Sequence, residues 1–464
     1  MRVAGQLTSG SLQSYPNALA LEYAFNPVIP SYWTNLPHHR RTPFALSPDG
    51  KSAFLAYLDQ SGRGVHIQQV DTKTFTATGT AVTVAGGKEA GGLVAHNDGF
   101  ALLTNEAMPS GTSNPPPGNT PVPVLYRFKD GKQSWKTWLG GPDVHPREGL
   151  SMAPDLNGDL AYSEKSGLYG AYFVITNYAG SAKGHFGDSI QYVTNEGKIQ
   201  TIRGASSSWG CSHNTGIAIA AADTPPYASA CAEDHTGIWL NTKTQSMNGQ
   251  KISNEHVING ATNSAMGGTS GSYSLLSRFP TTPRYIFTWI SRGAVQLTAN
   301  AWLTGQTTAK QRWPNRHVAI ALLSSKETLA GPQATSKVGS ASGDDQVNWL
   351  TTGSNDHSNA HVAAFDANSA LVSWEEMENP SCKDDAMDCS GNFVGTSWQL
   401  VDGSGKKVGG VVSAKNVTVS GDVVLMPDGR LCWPYVDMAW SLKGDGARMR
   451  SAAKKMSFGC MKKS

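Results

Sequence analysis

The stretch FALSPDGKSAFLAYLD, Phe44 to Asp59, reads as a short apolar strand, a tight Asp-Gly turn, a second apolar strand and then an acid. Asp-Gly between two apolar runs is a strong hairpin signal, because glycine accepts the positive φ that a tight turn demands. The pattern is not unique to this segment. It returns as LVAHNDGFALLTNE from Leu93, LSMAPDLNGDLAYSE from Leu150, VAAFDANSALVSWEE from Val362 and VVLMPDGRLCWPYVD from Val423. Looser copies are IAIAAADTPPYASACAED from Ile217 and SLLSRFPTTPRYIFTWIS from Ser274, which makes seven.

The turns centre near Asp49, Asp98, Asp155, Asp223, Thr281, Asp366 and Asp428. The unit is therefore roughly 50 to 85 residues, the length of four antiparallel strands with variable loops. Second hairpins follow several copies, as in GVHIQQVDTKTFTATGTAV, VLYRFKDGKQSWKTWLG, DSIQYVTNEGKIQTIRG and TSWQLVDGSGKKVGGVV. The fold expected is all-β, a seven-bladed β-propeller of four-stranded antiparallel blades spanning residues 1–464 as a single domain. After the seventh copy the chain has one strand left, within ARMRSAAKKMSFGCM, so NALALEYAFNPV near the N-terminus is expected to supply the outermost strand and close the ring.

Composition agrees. Of 464 residues 39% are apolar and only 16% charged, with 50 Gly and 24 Pro, the profile of many strands joined by tight turns. No apolar run reaches the ~18 residues of a membrane span. A net charge of +3, with Lys and Arg scattered, argues against nucleic acid as a partner. A monomer is expected.

Six cysteines fall as Cys211/Cys231, Cys382/Cys389 and Cys432/Cys460. An even number in local groups suits three short-range disulfides, with free buried thiols as the alternative. Cys432 and Cys460 belong on neighbouring strands of the last blade, and Cys211 and Cys231 on the first two strands of the fourth. A zinc site at Cys211-Ser212-His213 is disfavoured, since the close Cys-x-x-Cys pair is missing. Asn416-Val417-Thr418 is a glycosylation acceptor. Together these point to a secreted, extracellular protein; Met1-Arg2-Val3 opens no apolar leader, which is expected to have been removed.

In a propeller, the segments that enter innermost strands and the loops after second strands share one face. That rule gathers His38, His39, Arg40, Arg41, His145, Arg147, Glu148, Trp209, His213, Asn214, His357, Asn359 and His361 with His185, Asp188, Glu233, Asp234 and His235. His96 falls on the opposite face. A mouth of imidazole, guanidinium, amide and indole groups is a polar pocket with an aromatic wall, where closed β-architectures hold ligands. Singly, each such histidine reads as a loop organiser, Glu233 or Asp234 as a turn cap, Arg147 with Glu148 as a surface pair, and His185 with Asp188 as a cation site.

There is no G-x-S-x-G elbow, H-E-x-x-H or P-loop, and no dinucleotide fingerprint placed between a strand and a helix. Histidines and arginines without a nucleophile suit proton abstraction beside a carboxylate: Arg neutralises the acid and His takes the proton, the β-elimination of a polysaccharide lyase. Paired carboxylates, Glu148 with Glu233 or Asp234, would be the hydrolase alternative. The repeats, cysteine pairs and His/Arg-rich rim resemble the secreted fungal seven-bladed propellers that include the rhamnose-glucuronate lyases and, more distantly, the propeller ulvan lyases. The resemblance implies a His base and acid, an Arg neutraliser and a structural calcium, with no cofactor required. His213, His145 and Arg147 are then the expected catalytic residues, and Arg41, His185, Trp209, Asn214, His235 and His361 the expected substrate contacts. A glycan-binding lectin, or a biosynthetic propeller of the hetero-Diels–Alderase type acting on a small molecule, are the other two readings.

Overall fold

The computed structural model describes residues 5–30, 35–144, 150–152, 158–181, 183–207, 210–211, 216–233, 237–240, 249–256, 273–301, 304–305, 307–383, 389–444, 446 and 451–464. Seven small antiparallel sheets stand in a ring as a seven-bladed β-propeller, most blades having four strands. The opening hairpin forms blade 1: Phe44–Leu46 lines the axis, followed outward by Ala53–Leu58, Val65–Val70 and Val82–Val84.

Strand alternation explains why the blades stack. In Ala53–Leu58, Ala53, Leu55 and Tyr57 pack with Phe44 and Phe458 of blade 7, while Phe54 and Ala56 pack with Phe100, Leu102 and Tyr126 of blade 2. A sheet covered on both faces reads as a continuous apolar run. The same division recurs around the circle, and seven buried clusters fill the seven seams between neighbours. Gly50 shows how tightly the turns sit: its φ is +71°, and a Cβ there would lie 2.6 Å from Pro427 of the blade 7 turn.

Blade 7 closes the ring as expected. Its order outward is Val424–Leu425, Leu431–Tyr435, Ala453–Met461 and finally the N-terminal strand Leu12–Phe25. Cys432 pairs with Cys460 across the second and third strands, and the two are disulfide-bonded. Cys382–Cys389 and Cys211–Cys231 are also bonded. Cys211 precedes the first strand of blade 4, Ile217–Ala220, rather than lying on it, so that disulfide ties an entry segment to the second strand, Ala228–Glu233.

Blade 3 corrects the sequence reading. Leu150–Met152 and Gly158–Ser163 do not pair with each other across Asp155; both pair with Leu168–Asn177, Leu150 opposite Asn177 and Gly158 opposite Phe173. The tight turn is instead Ser163 to Gly167, closed by the Gly167 N–H donating to the Ser163 carbonyl at 2.9 Å. An Asn-Gly signal can interrupt a strand as well as end one, and pairing decides which.

Two departures from the repeat matter for the site. Before blade 1, a small hairpin of Val28–Pro30 and Pro37–His39 rests on a core of Val28, Met377, Trp440 and Leu442. Blade 6 has the long strands Asp356–Asp366 and Ser369–Cys382, of 11 and 14 residues, against 3 and 6 for the corresponding strands of blade 1. No helix among the described residues is long and apolar enough to cross a membrane.

Candidate active site

The four residues His38-His39-Arg40-Arg41 leave the small hairpin and run into blade 1. Arg41 turns to the axis. Its Nη1 donates to the carbonyls of Gly91 (2.7 Å) and Gly158 (2.8 Å), and its Nη2 to Asp159 (2.8 Å) and Asp422 (2.7 Å). One guanidinium thus joins blades 2, 3 and 7 to the entry of blade 1. Burial would by itself lower the Arg41 pKa, but Asp422 and Asp159 more than offset it and the group stays charged. Burial likewise pushes the Asp159 carboxyl up, with Arg41 opposing. Arg40 pairs with Glu89 and donates from Nε to the Asn26 carbonyl at 3.0 Å.

From Arg41 a polar chain runs to His39 and Trp440. The Arg41 guanidinium lies 5.3 Å from the Tyr273 ring centre, and His361 stacks on Tyr273 at 4.3 Å. The His361 Nδ1 is 2.9 Å from the Tyr273 carbonyl and its Nε2 2.9 Å from Asn359 Oδ1. Burial, partly countered by that carbonyl, pulls the His361 pKa down to about 4. Asn359 Nδ2 donates to Glu375 Oε1 (3.1 Å) and to the Val419 carbonyl (2.8 Å). Glu375 Oε1 meets His39 Nε2 at 2.6 Å, while Trp440 Nε1 donates to Glu375 Oε2 at 2.8 Å. His39 stacks on Trp440 with centroids 3.7 Å apart.

Local sequence explains this placement. Asn359 has φ +49° inside the innermost strand of blade 6, where the register slips between Ser358 and His361. Asparagine tolerates that left-handed backbone better than most residues, and the resulting bulge re-aims side chains. Glu375 sits in the extended part of the second strand, opposite Ser358. Chemically, His39–Glu375 is an imidazole oriented by a carboxylate through one nitrogen, which leaves Nδ1 for a proton transfer.

Of the substrate contacts expected from sequence, Arg41 and His361 are brought together on either side of Tyr273. His185 is exposed in the loop after the second strand of blade 3. His145, Arg147, Trp209, His213, Asn214 and His235 lie outside the described residues. Asp188 is buried; the Tyr172 hydroxyl donates to it at 3.0 Å, and burial raises its pKa to about 8. Glu375, Trp440 and Tyr273 were missed, although Glu375 stands in the quoted repeat VAAFDANSALVSWEE. The acid after a second strand was the available signal.

Among the described residues, two groups bring three potential metal donors together, Asp188 with Cys211 and Cys231, and Asp356 with Cys382 and Cys389. In both the cysteines are bonded to each other, so they staple strands and supply no thiolate.

No protein-family model and no curated protein matches the chain. Among solved structures it is similar to a protein of unknown function from Dyadobacter fermentans, at 8% identity over 98% of this chain and 100% of that one, with a TM-score of 0.42. A Hadza microbial sialidase aligns at 12% identity over 78% and 65%, TM-score 0.41, and the catalytic domain of a Coprinopsis cinerea GH62 α-L-arabinofuranosidase at 10% over 67% and 87%, TM-score 0.25. Two of these three are carbohydrate-active enzymes; identities and scores this low carry no activity across to the present chain.

Proposed function

We infer that the channel mouth is the active site of a secreted carbohydrate-active enzyme, a polysaccharide lyase that cleaves next to a uronic acid. The His39–Glu375–Trp440 unit supports this reading: a buried imidazole held by a carboxylate and stacked on an indole, where the segment entering blade 1 meets the extended second strand of blade 6. His39 Nδ1 accepts the proton from the carbon α to the uronate carboxylate. The carboxylate takes up the developing charge, Arg147 neutralises it, and His145 or His213 returns a proton to the departing glycosidic oxygen. One C–H and one C–O bond break, and a C=C bond forms. Three disulfides and an exposed Asn416 acceptor support an extracellular setting.

The test is incubation with a panel of glucuronate-containing glycans, reading the ultraviolet absorbance of the conjugated unsaturated uronate. Product is expected from the native protein and not from His39→Ala of unchanged melting temperature. Agglutination without product would replace the lyase with a lectin, and product from His39→Ala would remove His39 from the reaction.

A further inference from the structure

In the seam between blades 5 and 6, away from the channel network, two histidines meet among tryptophans. His317 opens the third strand of blade 5, His317–Ser325, and His357 belongs to the innermost strand of blade 6. Their ring centroids are 5.4 Å apart with planes at 43°. His317 is 0% exposed, and neither of its ring nitrogens has a hydrogen-bond partner. An unsatisfied buried polar group is destabilising, and here there are two on one side chain. Trp313 stands edge-on to His317 at 4.7 Å and in turn contacts Trp349, while Trp374 lies 6.3 Å from His357.

His357 is prepared differently. Its Nδ1 lies 2.8 Å from the Arg316 carbonyl, which can only accept, so that nitrogen carries the proton and Nε2 presents a lone pair. A backbone carbonyl on the far nitrogen is what fixes the tautomer of a metal-ligating histidine. The Arg316 side chain is itself held by Asp356, through Nε at 3.0 Å and Nη2 at 2.7 Å, so the carbonyl is anchored and the nearby cation is neutralised.

We propose that His317 and His357 form an inter-blade binding site for a late first-row transition ion of the copper or zinc class. A metal–imidazole bond of about 2.0–2.1 Å puts each ring centroid about 3.2 Å from the ion, so two rings sharing it at a trigonal or tetrahedral angle stand about 5.2–5.5 Å apart. The observed 5.4 Å is inside that interval. Imidazole nitrogens suit copper and zinc, whereas calcium and magnesium need a shell of oxygens that indole walls do not offer. Glu376 stands opposite His357 across the ladder but its Oε1 accepts from Asn355 Nδ2 at 2.7 Å, and among the described residues no third protein donor clusters with the two rings, so the two imidazoles hold the ion and water fills its remaining positions.

The experiment uses the full chain, stripped with a chelator and titrated with zinc chloride or, under anaerobic reductant, cuprous chloride. Melting temperature and tryptophan fluorescence are followed. One ion is expected to bind, raising the melting temperature by roughly 4 °C at a thousandfold excess over Kd. His317→Phe and His357→Gln should each abolish the shift. His317→Phe should leave the metal-free melting temperature unchanged or higher, because it fills the volume without unpaired nitrogens. The Gln amide of the second variant can still donate to Arg316, so it tests the site even if His317→Phe does not fold. Absence of any shift in the native protein overturns the proposal, as does a shift that survives in either folded variant.

Discussion

Replacing Arg41 by Met tests whether one guanidinium pins the centre of the propeller. The side chain volume is kept, but Asp159 and Asp422 lose their shared cation and the carbonyls of Gly91 and Gly158 lose their donor. Removing one partner of a buried ion pair costs about 3–5 kcal/mol. An unfolding entropy of ~2.1 cal/mol/K per residue over 464 residues is close to 1 kcal/mol/K, so a loss of about 4 kcal/mol lowers the melting temperature by roughly 4 °C. The loss also has a pH signature. Burial already holds the Asp159 carboxyl above its unfolded value with Arg41 opposing, and without Arg41 it climbs further. A carboxyl whose folded pKa exceeds its unfolded one gives stability at low pH that is lost as pH rises through the folded value. The gap between Arg41→Met and the native protein should therefore narrow at about pH 5 and widen at about pH 8. Adding Asp159→Asn should recover part of it at the higher pH. Thermal unfolding followed by circular dichroism across that range decides: a gap under about 1 °C, or one independent of pH, refutes the central role of the guanidinium.

Glu375→Gln keeps the shape beside His39 and Trp440 but removes the charge, so turnover on a cleaved glycan should fall about a hundredfold with KM little changed, as steady-state kinetics would show. Cys432→Ala with Cys460→Ala opens a 28-residue link that holds the closing blade; about 3–4 kcal/mol should be lost, measured as a lower guanidinium midpoint. Asp188 is an acid whose folded pKa is raised to about 8, so native stability should decline between its unfolded value and that point. Asp188→Asn should flatten the decline, visible in denaturant titrations at several pH values.

The ring was legible because its signal is local and repeated: a short turn between apolar runs needs no tertiary knowledge, and five close copies with two looser ones set the count at seven. The closing strand was legible by elimination, since the last copy lacked a fourth strand that the N-terminus could supply. Blade 3 was misread for the opposite reason. Nothing local distinguishes a turn that joins paired strands from a break between two segments paired to a common neighbour, and Leu150–Met152 and Gly158–Ser163 are two such segments. Strand polarity alone grouped His39, Arg41, Asn359 and His361, which ring contacts and hydrogen bonds link in the structure. Their wiring was not legible, because a face assignment cannot say that Arg41 reaches the axis while Arg40 turns to Glu89.

The site depends on what breaks the sevenfold pattern. A regular second strand like that of blade 1 would have ended before Glu375; blade 6 runs further, and that extension needs partners once it leaves the ring. The Val28–His39 hairpin and Trp440 provide them, burying Met377 and placing His39 against Glu375. The bulge at Asn359 supplies the remaining bond, since an unbulged strand would send that side chain to the other face. Asn359→Ala should therefore cost more than its hydrogen bonds: alanine resists φ near +49°, and straightening the strand would withdraw the contacts that fix both Glu375 and His361. A folded Asn359→Ala protein with native turnover on a cleaved glycan would separate the bulge from the chemistry and leave His39 and Glu375 as the whole of the working unit.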